Sequence, residues 1–256
     1  MDERLMAAML DVDEHHWWYR GRRRIIRAEL HRLQVRDGAR VLDAGCGSGR
    51  TLEELQRFDA CGIELSAQAA EVARARGQGE VRVGRLQELP WVDGTFELIV
   101  CLDVIEHTPD DRATLRELRR VCAPGGWLLL TVPAYQALWS AHDEANHHFR
   151  RYERATLRAA AADAGWRLQR MTSFNSLLLA PAAAVRIAQR HRRGGDVASD
   201  LRLGPQWLNS ALELPLRIEA AWLSRGRTLF AGLSLLAVLE NPRTSGCGLD
   251  VRQASG

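Results

Sequence analysis

A glycine-rich turn after an apolar segment is the first feature that can do chemistry. Gly45, Gly47 and Gly49 follow the segment Val41–Ala44, and a helical pattern begins directly after them. Glycines in such a turn let a ligand lie against bare backbone, and the start of a helix favours an anionic group. Glu64 ends the next apolar segment, where a carboxylate can bind both hydroxyls of a ribose. Turn and glutamate together predict an adenosine-type ligand, although a lone glycine turn would be ordinary turn chemistry.

The spacing of the glycines separates two kinds of nucleotide site. A dinucleotide fingerprint reads G-x-G-x-x-G, whereas this turn reads G-x-G-x-G, with Asp43 inside the end of the preceding segment. This disfavours a nicotinamide-dependent enzyme, which stays open as an alternative.

Titratable side chains are concentrated in two later segments. His107 follows the apolar segment Phe96–Leu102 and is a candidate general base or cofactor contact, with a structural capping role as the alternative. His142, Asp143 and His147 lie in a polar stretch and are candidates for the general base and for acceptor binding. A solvated loop is the alternative there, and zinc is disfavoured because no thiolate lies nearby.

These residues need strands and helices that bring them together. Five short apolar segments alternate with helical patterns between residues 40 and 133, which predicts a parallel sheet covered by helices on both sides. Such sites open at the carboxyl ends of the strands. The predicted strands are Val41–Ala44, Ala60–Glu64, Val81–Gly84, Phe96–Leu102 and Trp127–Val132, and the predicted helices are Thr51–Phe58, Ala67–Arg76 and one that begins at Asp110 or Asp111.

The regular alternation of strands and helices ends at Pro133. The predicted order is a polar loop Tyr135–Tyr152, a helix Glu153–Ala164, a strand Trp166–Phe174, helices Leu177–Arg193 and Pro205–Arg225, and a last strand Thr228–Leu239. The second of the two paired helices has an apolar stripe at helical spacing and a proline that is expected to kink it. These residues are Trp207, Ala211, Leu214, Ile218 and Trp222, with Pro215. The paired helices are expected to cover the sheet edge or form a dimer interface; an acceptor pocket and contact with a bilayer surface are alternatives.

Composition limits the class of protein. Of the 256 residues 46% are hydrophobic, which excludes a disordered chain and allows a generous core. The longest apolar runs, Ser176–Val185 and Phe230–Leu239, are about half the ~18–20 residues of a spanning helix, and the acidic start predicts no secretory leader. The five cysteines lack metal-type spacing and are expected to be reduced thiols of a cytoplasmic protein. All 35 basic residues are arginine and are mixed with acids, so no nucleic-acid partner is expected.

Five motifs together resemble those of class I S-adenosylmethionine-dependent methyltransferases, in particular the small-molecule branch with the ubiquinone-biosynthesis O-methyltransferases. They are VLDAGCGSGR (41–50), GIELS (62–66), GRLQELPW (84–91), FELIVCLDVIEH (96–107) and LRRVCAPGGWLLLTVP (118–133). The resemblance implies an α/β fold with a Rossmann-like, doubly wound, seven-stranded sheet whose last strand is antiparallel; a helical insertion precedes that strand here. The chain then divides into a cap helix (1–36), a core (37–174 and 227–240), the insertion (175–226) and a tail (241–256).

The resemblance also implies places for the cofactor, S-adenosylmethionine. Its methionine part is expected over Gly45, Cys46 and Gly47 and beside Leu102 and Asp103, its ribose on Glu64, and its adenine between Leu65 and Leu86. Asp43 is a further candidate contact. The cap helix Glu14–Leu33 adds Tyr19 and Arg20 as a lid, with Arg20 or Arg24 pairing the cofactor carboxylate; simple packing of its aromatic residues is the alternative.

Two details concern individual residues. Arg85 stands where many relatives have an aspartate, so the adenine amino group must bond to the backbone or to Gln87. Asp103, Glu106 and His107 read D-x-x-E-H, which is similar to the E-x-x-E-H divalent-metal site of the ubiquinone-type enzymes. A plain polar loop is favoured over a metal site.

The sequence therefore predicts a methyltransferase that acts on a small or lipid-like acceptor, at oxygen. An inactive cofactor-binding partner subunit and an N- or C-methyltransferase of a natural-product or glycan pathway are alternatives. A homodimer and peripheral contact with the inner membrane face stay open.

Overall fold

The computed structural model describes residues 16–190 and 205–243. Parts of the predicted cap helix and tail, the whole loop between the paired helices, and Cys247 lie outside the described residues.

Seven strands form one sheet in the order β3-β2-β1-β4-β5-β7-β6. Strands β1 to β5 run parallel, and β7 runs antiparallel to both β5 and β6. The predicted seven-stranded sheet with an antiparallel last strand is confirmed. The strands are β1 (Arg40–Ala44), β2 (Asp59–Glu64), β3 (Glu80–Val83), β4 (Phe96–Leu102), β5 (Cys122–Pro133), β6 (Arg167–Phe174) and β7 (Ser234–Glu240).

The core has two layers, one on each face of the sheet. Successive residues of a strand point to opposite faces, so Ile99 belongs to one apolar cluster whereas Leu98 and Val100 belong to the other. Both faces are buried, which explains why the central strands read as nearly continuous apolar runs.

Eight α-helices and two 3₁₀ turns are described between and around these strands. The helices are α1 (Trp17–Arg32), α2 (Arg50–Glu54), α3 (Ala67–Ala75), α4 (Asp111–Val121), α5 (Ala141–Ala145), α6 (Arg154–Asp163), α7 (Leu179–Arg190) and α8 (Gln206–Ser224); the 3₁₀ turns are Ile105–His107 and Gln136–Leu138. Within the described ranges, no helix has both the length and the apolar character needed to cross a bilayer.

The cap helix α1 packs on α8. The two helices approach closely at Gly21, where an added Cβ would lie 2.3 Å from Leu216 Cδ1. Glu213 of α8 is buried and pairs with Arg20 (3.1 Å) and Arg24 (2.9 Å) of α1. The face of α8 that packs inward therefore differs from the predicted apolar stripe, whose four large side chains are exposed.

Several elements differ from the sequence prediction. The helix after the glycine turn ends at Glu54 rather than Phe58, and the polar loop contains the short helix α5, which Ser140 and Asp143 cap reciprocally. The last strand begins at Ser234 rather than Thr228. Gly232, just before it, packs so tightly on the Phe174 backbone that an added Cβ would lie 2.2 Å from its carbonyl oxygen.

Candidate active site

A cavity of about 970 Å³ opens at the carboxyl ends of β1, β2 and β4. β1 lies between β2 and β4, and the chain continues in opposite directions along the sheet from it, which is where ligands bind in open α/β sheets. The cavity is at the upper end of the ~300–1,000 Å³ range of small-molecule sites, so it has room for more than one ligand.

The glycine turn forms the floor of this cavity. Gly45 and Gly47 have φ values of 82° and 53°, a left-handed backbone that favours glycine. A Cβ added to Gly45 would lie 2.6 Å from Val104, whereas one added to Gly47 would meet nothing within 4 Å. Gly47 therefore presents bare backbone to open space, as the sequence predicted for a ligand-binding turn. Cys46 also lines the cavity, and burial raises the pKa of its thiol, which keeps it protonated.

Glu64 is fixed at the end of β2 by two backbone groups. The Gly47 N–H donates to Oε2 (3.0 Å) and the Ser66 N–H donates to Oε1 (2.9 Å). The carboxylate is only partly buried and lines the cavity. The ribose contact of this carboxylate stays a prediction. Leu65 and Leu86, the expected adenine neighbours, line the same region.

An ion pair joins the cap helix to the loop after β4. Arg22 of α1 pairs with Asp103, whose φ is 58°, and the Arg22 guanidinium lies 4.8 Å from the centre of the Trp18 ring. All of these residues and Tyr19 line the cavity. Arg20 and Arg24, the arginines predicted to face the cofactor, instead pair with Glu213. Arg22 is thus the arginine that sequence reasoning missed; its helical phase relative to Trp18 and Tyr19 was the available signal.

Asp43 is buried beneath the turn and lines the cavity. Its Oδ2 has no hydrogen-bond partner among the described residues. Burial raises the pKa of this carboxyl to about 7, against the lowering effect of Arg22, and the charge of Glu64 adds to the rise.

Asp143 lies behind the cavity wall rather than in it. It is fully buried, and its Oδ1 lies 2.8 Å from His148 Nδ1 and accepts from Arg151 Nε at 2.7 Å. The Ser140 N–H donates to Oδ2 at 2.9 Å. Burial alone would raise the pKa of Asp143, but the His148 hydrogen bond and the charge of Arg151 hold it well below its usual range.

The four histidines near this wall have different positions. His107, His142 and His148 line the cavity. His147 does not; it is exposed and has a φ of 54°. The structure thus places two of the four predicted catalytic residues, His107 and His142, at the cavity surface, and adds His148, which sequence reasoning missed.

Glu106, His107 and His148 bring potential ligand atoms within 4.8 Å of one another. Glu106 is buried, and both of its carboxylate oxygens lack partners among the described residues. Burial lowers the pKa of His107 to about 4, with a smaller contribution from the nearby His148, so the His107 imidazole is neutral. Two imidazoles and a carboxyl group are a ligand set that suits a divalent transition metal, so the residues present fit such an ion. Asp103, the first residue of the predicted metal motif, is paired with Arg22 instead.

The far side of the cavity is apolar with one buried polar group. It is lined by Leu178 just before α7, by Pro181 and Ala182 of α7, and by Leu212 of α8. Asn175 also lines it; its φ is 59°, and its Oδ1 lacks a partner among the described residues.

Glu219 of α8 holds the backbone of this segment. Its buried carboxylate accepts from the N–H groups of Asn175 (2.6 Å), Ser176 (2.8 Å) and Leu177 (3.0 Å). These three bonds fix the wall that carries Asn175.

Comparison with protein families gives one domain match. A family model described as a methyltransferase domain matches residues 17–170, more than half of the chain. Among curated proteins, the ubiquinone biosynthesis O-methyltransferase of Xanthomonas oryzae is 37% identical over 103 residues, which cover 37% of this chain and 43% of that protein. The chain thus matches less than half the length of such relatives.

Solved structures resemble the fold. A complex between the Haloferax volcanii Trm112 methyltransferase activator and a methyltransferase gives a TM-score of 0.63 at 21% identity, covering 94% of this chain and 96% of that chain. The phosphoethanolamine N-methyltransferase 2 of Haemonchus contortus, in complex with S-adenosyl-L-methionine, gives 0.57 at 16% identity, covering 84% and 51%. At these identities the likeness concerns the fold alone.

Proposed function

The chain belongs to the methyltransferase domain family, and from that premise we propose that it transfers the methyl group of S-adenosylmethionine to a hydroxyl oxygen of a small, lipid-like acceptor. The acceptor oxygen forms a bond to the methyl carbon while the bond from that carbon to sulfur breaks. The acceptor proton passes to a base, and S-adenosylhomocysteine leaves. Because the sulfonium already activates the methyl group, the protein has to align the acceptor and manage one proton.

The cofactor would lie across the glycine turn. Glu64 is available to the ribose hydroxyls, and Leu65 and Leu86 flank the place for the adenine. The Arg22–Asp103 pair offers opposite charges to the carboxylate and the ammonium of the methionine part. Cofactor binding would thus exchange one ion pair for two.

The observation that carries the catalytic proposal is the contact between Asp143 and His148. With Nδ1 as the donor to Asp143, His148 keeps a lone pair on Nε2, which is the form a general base needs. Asp143 acts as a positioning residue, because it is buried and orients the ring without lining the cavity.

The acceptor would occupy the side of the cavity formed by α7 and α8. The apolar wall there supports a lipid-like or aromatic body, and Asn175 Oδ1 can accept one hydrogen bond from the acceptor.

A metal-assisted variant of the same reaction is the second candidate, favoured by the unpaired oxygens of Glu106. Glu106, His107 and His148 would hold the ion, and a divalent ion supplies Lewis acidity that makes an acceptor hydroxyl easier to deprotonate.

The experiment combines the purified chain, S-adenosylmethionine and phenols with and without an alkyl or isoprenoid tail. Methyl ethers and S-adenosylhomocysteine are followed by mass spectrometry. Methyl ether that forms faster on the tailed phenols supports the proposal. Cofactor binding without any transfer would instead support a partner subunit, and a methylated amine or carbon would contradict the choice of oxygen.

A further inference from the structure

The outer face of α8 carries a stripe of large apolar side chains, here called the outer stripe. It consists of Trp207, Leu214, Ile218 and Trp222, with exposed fractions of 71%, 52%, 55% and 41%. Monomeric proteins rarely expose an apolar surface of this extent without a use for it.

This stripe is not the packing face of the helix. Leu216 and Leu223 are buried on the opposite side, and Gly21 of α1 packs against Leu216. The inward face of α8 therefore already has its partner within the fold. The two tryptophans are 15 residues apart, which at 1.5 Å per residue places them about 22 Å apart along the helix.

On α8 and in the described segment just after it, up to Phe230, the exposed charges have one sign. The two acidic residues of α8, Glu213 and Glu219, are buried and engaged with groups on the inward side. The exposed charged residues of this region are Arg217 on α8 and Arg225 and Arg227 just after it. The Arg227 guanidinium lies 4.2 Å from the centre of the Trp222 ring, and Phe230, 84% exposed, follows.

We propose that the outer stripe docks α8 flat on the surface of a lipid bilayer with anionic headgroups. A tryptophan near each end, aliphatic residues between them and arginines along the edge are the composition of a helix that lies in the membrane interface. A rim with arginines and no exposed acid on α8 complements anionic lipid rather than a zwitterionic surface.

The docked orientation has a consequence for the cavity. α8 also supplies Leu212 to the cavity wall, so docking would bring the apolar compartment next to the bilayer. The docking proposal itself rests on the outer stripe and stands independently of the transfer chemistry.

Vesicle sedimentation tests the proposal with the full chain. The probes are extruded vesicles of phosphatidylcholine alone and of phosphatidylcholine with 30% phosphatidylglycerol. We expect the wild type to partition at least about tenfold more strongly into the anionic vesicles, since each arginine near such a surface adds attraction. Trp207→Ser/Trp222→Ser should reduce that partition by about tenfold or more, because it removes the largest inserted side chains. Arg217→Glu/Arg225→Glu should abolish the preference for anionic lipid.

The matched control is Val83→Ser/Val92→Ser, which removes two exposed apolar side chains outside α8. It should bind vesicles like the wild type. Recovery of the wild type in the supernatant with both vesicle types would overturn the proposal. A tryptophan variant that partitions into anionic vesicles as strongly as the wild type would also overturn it. A wild-type dimer that becomes monomeric in the tryptophan variant, without vesicle binding, would overturn it in favour of a second copy of the chain. Calorimetry with S-adenosylmethionine on every variant separates a failure of membrane docking from a failure of the proposed function. None of the substituted residues lines the cavity, so each variant should bind the cofactor like the wild type.

Discussion

Asp143 Oδ1 lies 2.8 Å from His148 Nδ1, although the carboxylate is buried outside the cavity and the imidazole lines it. The aspartate therefore sets the orientation and the tautomer of a histidine that can reach a ligand. With His148 as the proposed base and Asp143 as the residue that orients it, the effect of each neighbouring side chain on the rate of methyl transfer can be predicted.

His148→Ala should lower turnover by about 10²–10⁴-fold, the usual contribution of a general base. The affinity for S-adenosylmethionine should change little, because the imidazole is assigned to the acceptor proton. Turnover is measured as S-adenosylhomocysteine formed and affinity by calorimetry. Undiminished turnover would remove His148 from the mechanism.

His147→Ala distinguishes the neighbouring histidine. Because His147 is exposed and does not line the cavity, its loss should leave turnover within about twofold of the wild type. A loss comparable to that of His148→Ala would show that the loop rearranges on binding and would restore His147 as the base.

Glu64→Ala should weaken S-adenosylmethionine binding by about 10- to 100-fold, because it removes charge-assisted hydrogen bonds to the ribose and the acceptor of two backbone N–H groups. Calorimetry measures the loss. Glu88→Ala is the control, since Glu88 is exposed and does not line the cavity. Equal affinities for both variants and the wild type would rule out the ribose assignment.

Asp43→Asn should stabilise the ligand-free protein relative to the wild type as the pH rises. The pKa of Asp43 is raised to about 7 by burial, so the folded state holds its proton between pH ~4 and 7 whereas the unfolded state releases it. Rising pH across that window therefore destabilises the wild type, and the amide escapes the effect. Urea unfolding at pH 5 and pH 8 should show the variant gaining on the order of 2 kcal/mol between them. A gain at pH 5 alone would contradict the pKa shift.

Gly21→Ala should lower the free energy of unfolding by about 1–3 kcal/mol, because its new methyl group overlaps Leu216. Leu216→Ala alone creates a cavity and is also destabilising. The double variant should be more stable than the sum of the two changes predicts, since Leu216→Ala removes the Cδ1 and Cγ atoms that would lie 2.3 and 3.0 Å from the new methyl group. The rescue should be partial, because the Cβ at 2.6 Å remains. Strict additivity in urea unfolding would mean that α1 and α8 do not meet at this point.

Treatment with a chelator separates the two routes for the acceptor proton. Proton transfer to His148 requires no ion, so turnover should survive dialysis against EDTA. Loss of turnover that Mg²⁺, Mn²⁺ or Zn²⁺ restores would instead favour the metal-assisted route through Glu106, His107 and His148.

The predicted family, fold and cofactor are confirmed. The physical reasons why the fold could be predicted are visible in single elements. β4 was predicted with its observed bounds because its residues are buried on both faces and read as one apolar run. The helix after it begins at Asp111, and the Asp110 carboxylate accepts from the Ala113 N–H, as its cap position requires. Both signals are local, so a single sequence contains them.

The details that were missed depend on the phase of side chains around a helix or on contacts distant in sequence. Arg22 rather than Arg20 reaches the cavity because Glu213, far along the chain, pairs with Arg20. His148 rather than His147 is buried against Asp143 because the backbone at His147 turns left-handed. α8 is apolar on two faces, so periodicity alone left its inward face undetermined.

Ile218 and Glu219 are adjacent in α8, one on the outer stripe and the other holding the backbone of residues 175–177. Because Glu219 is hydrogen-bonded to that segment, a displacement of this part of α8 would also displace residues 175–177. Asn175 belongs to this segment and lines the cavity. Binding at the outer stripe that displaces α8 would therefore change the shape of the acceptor wall.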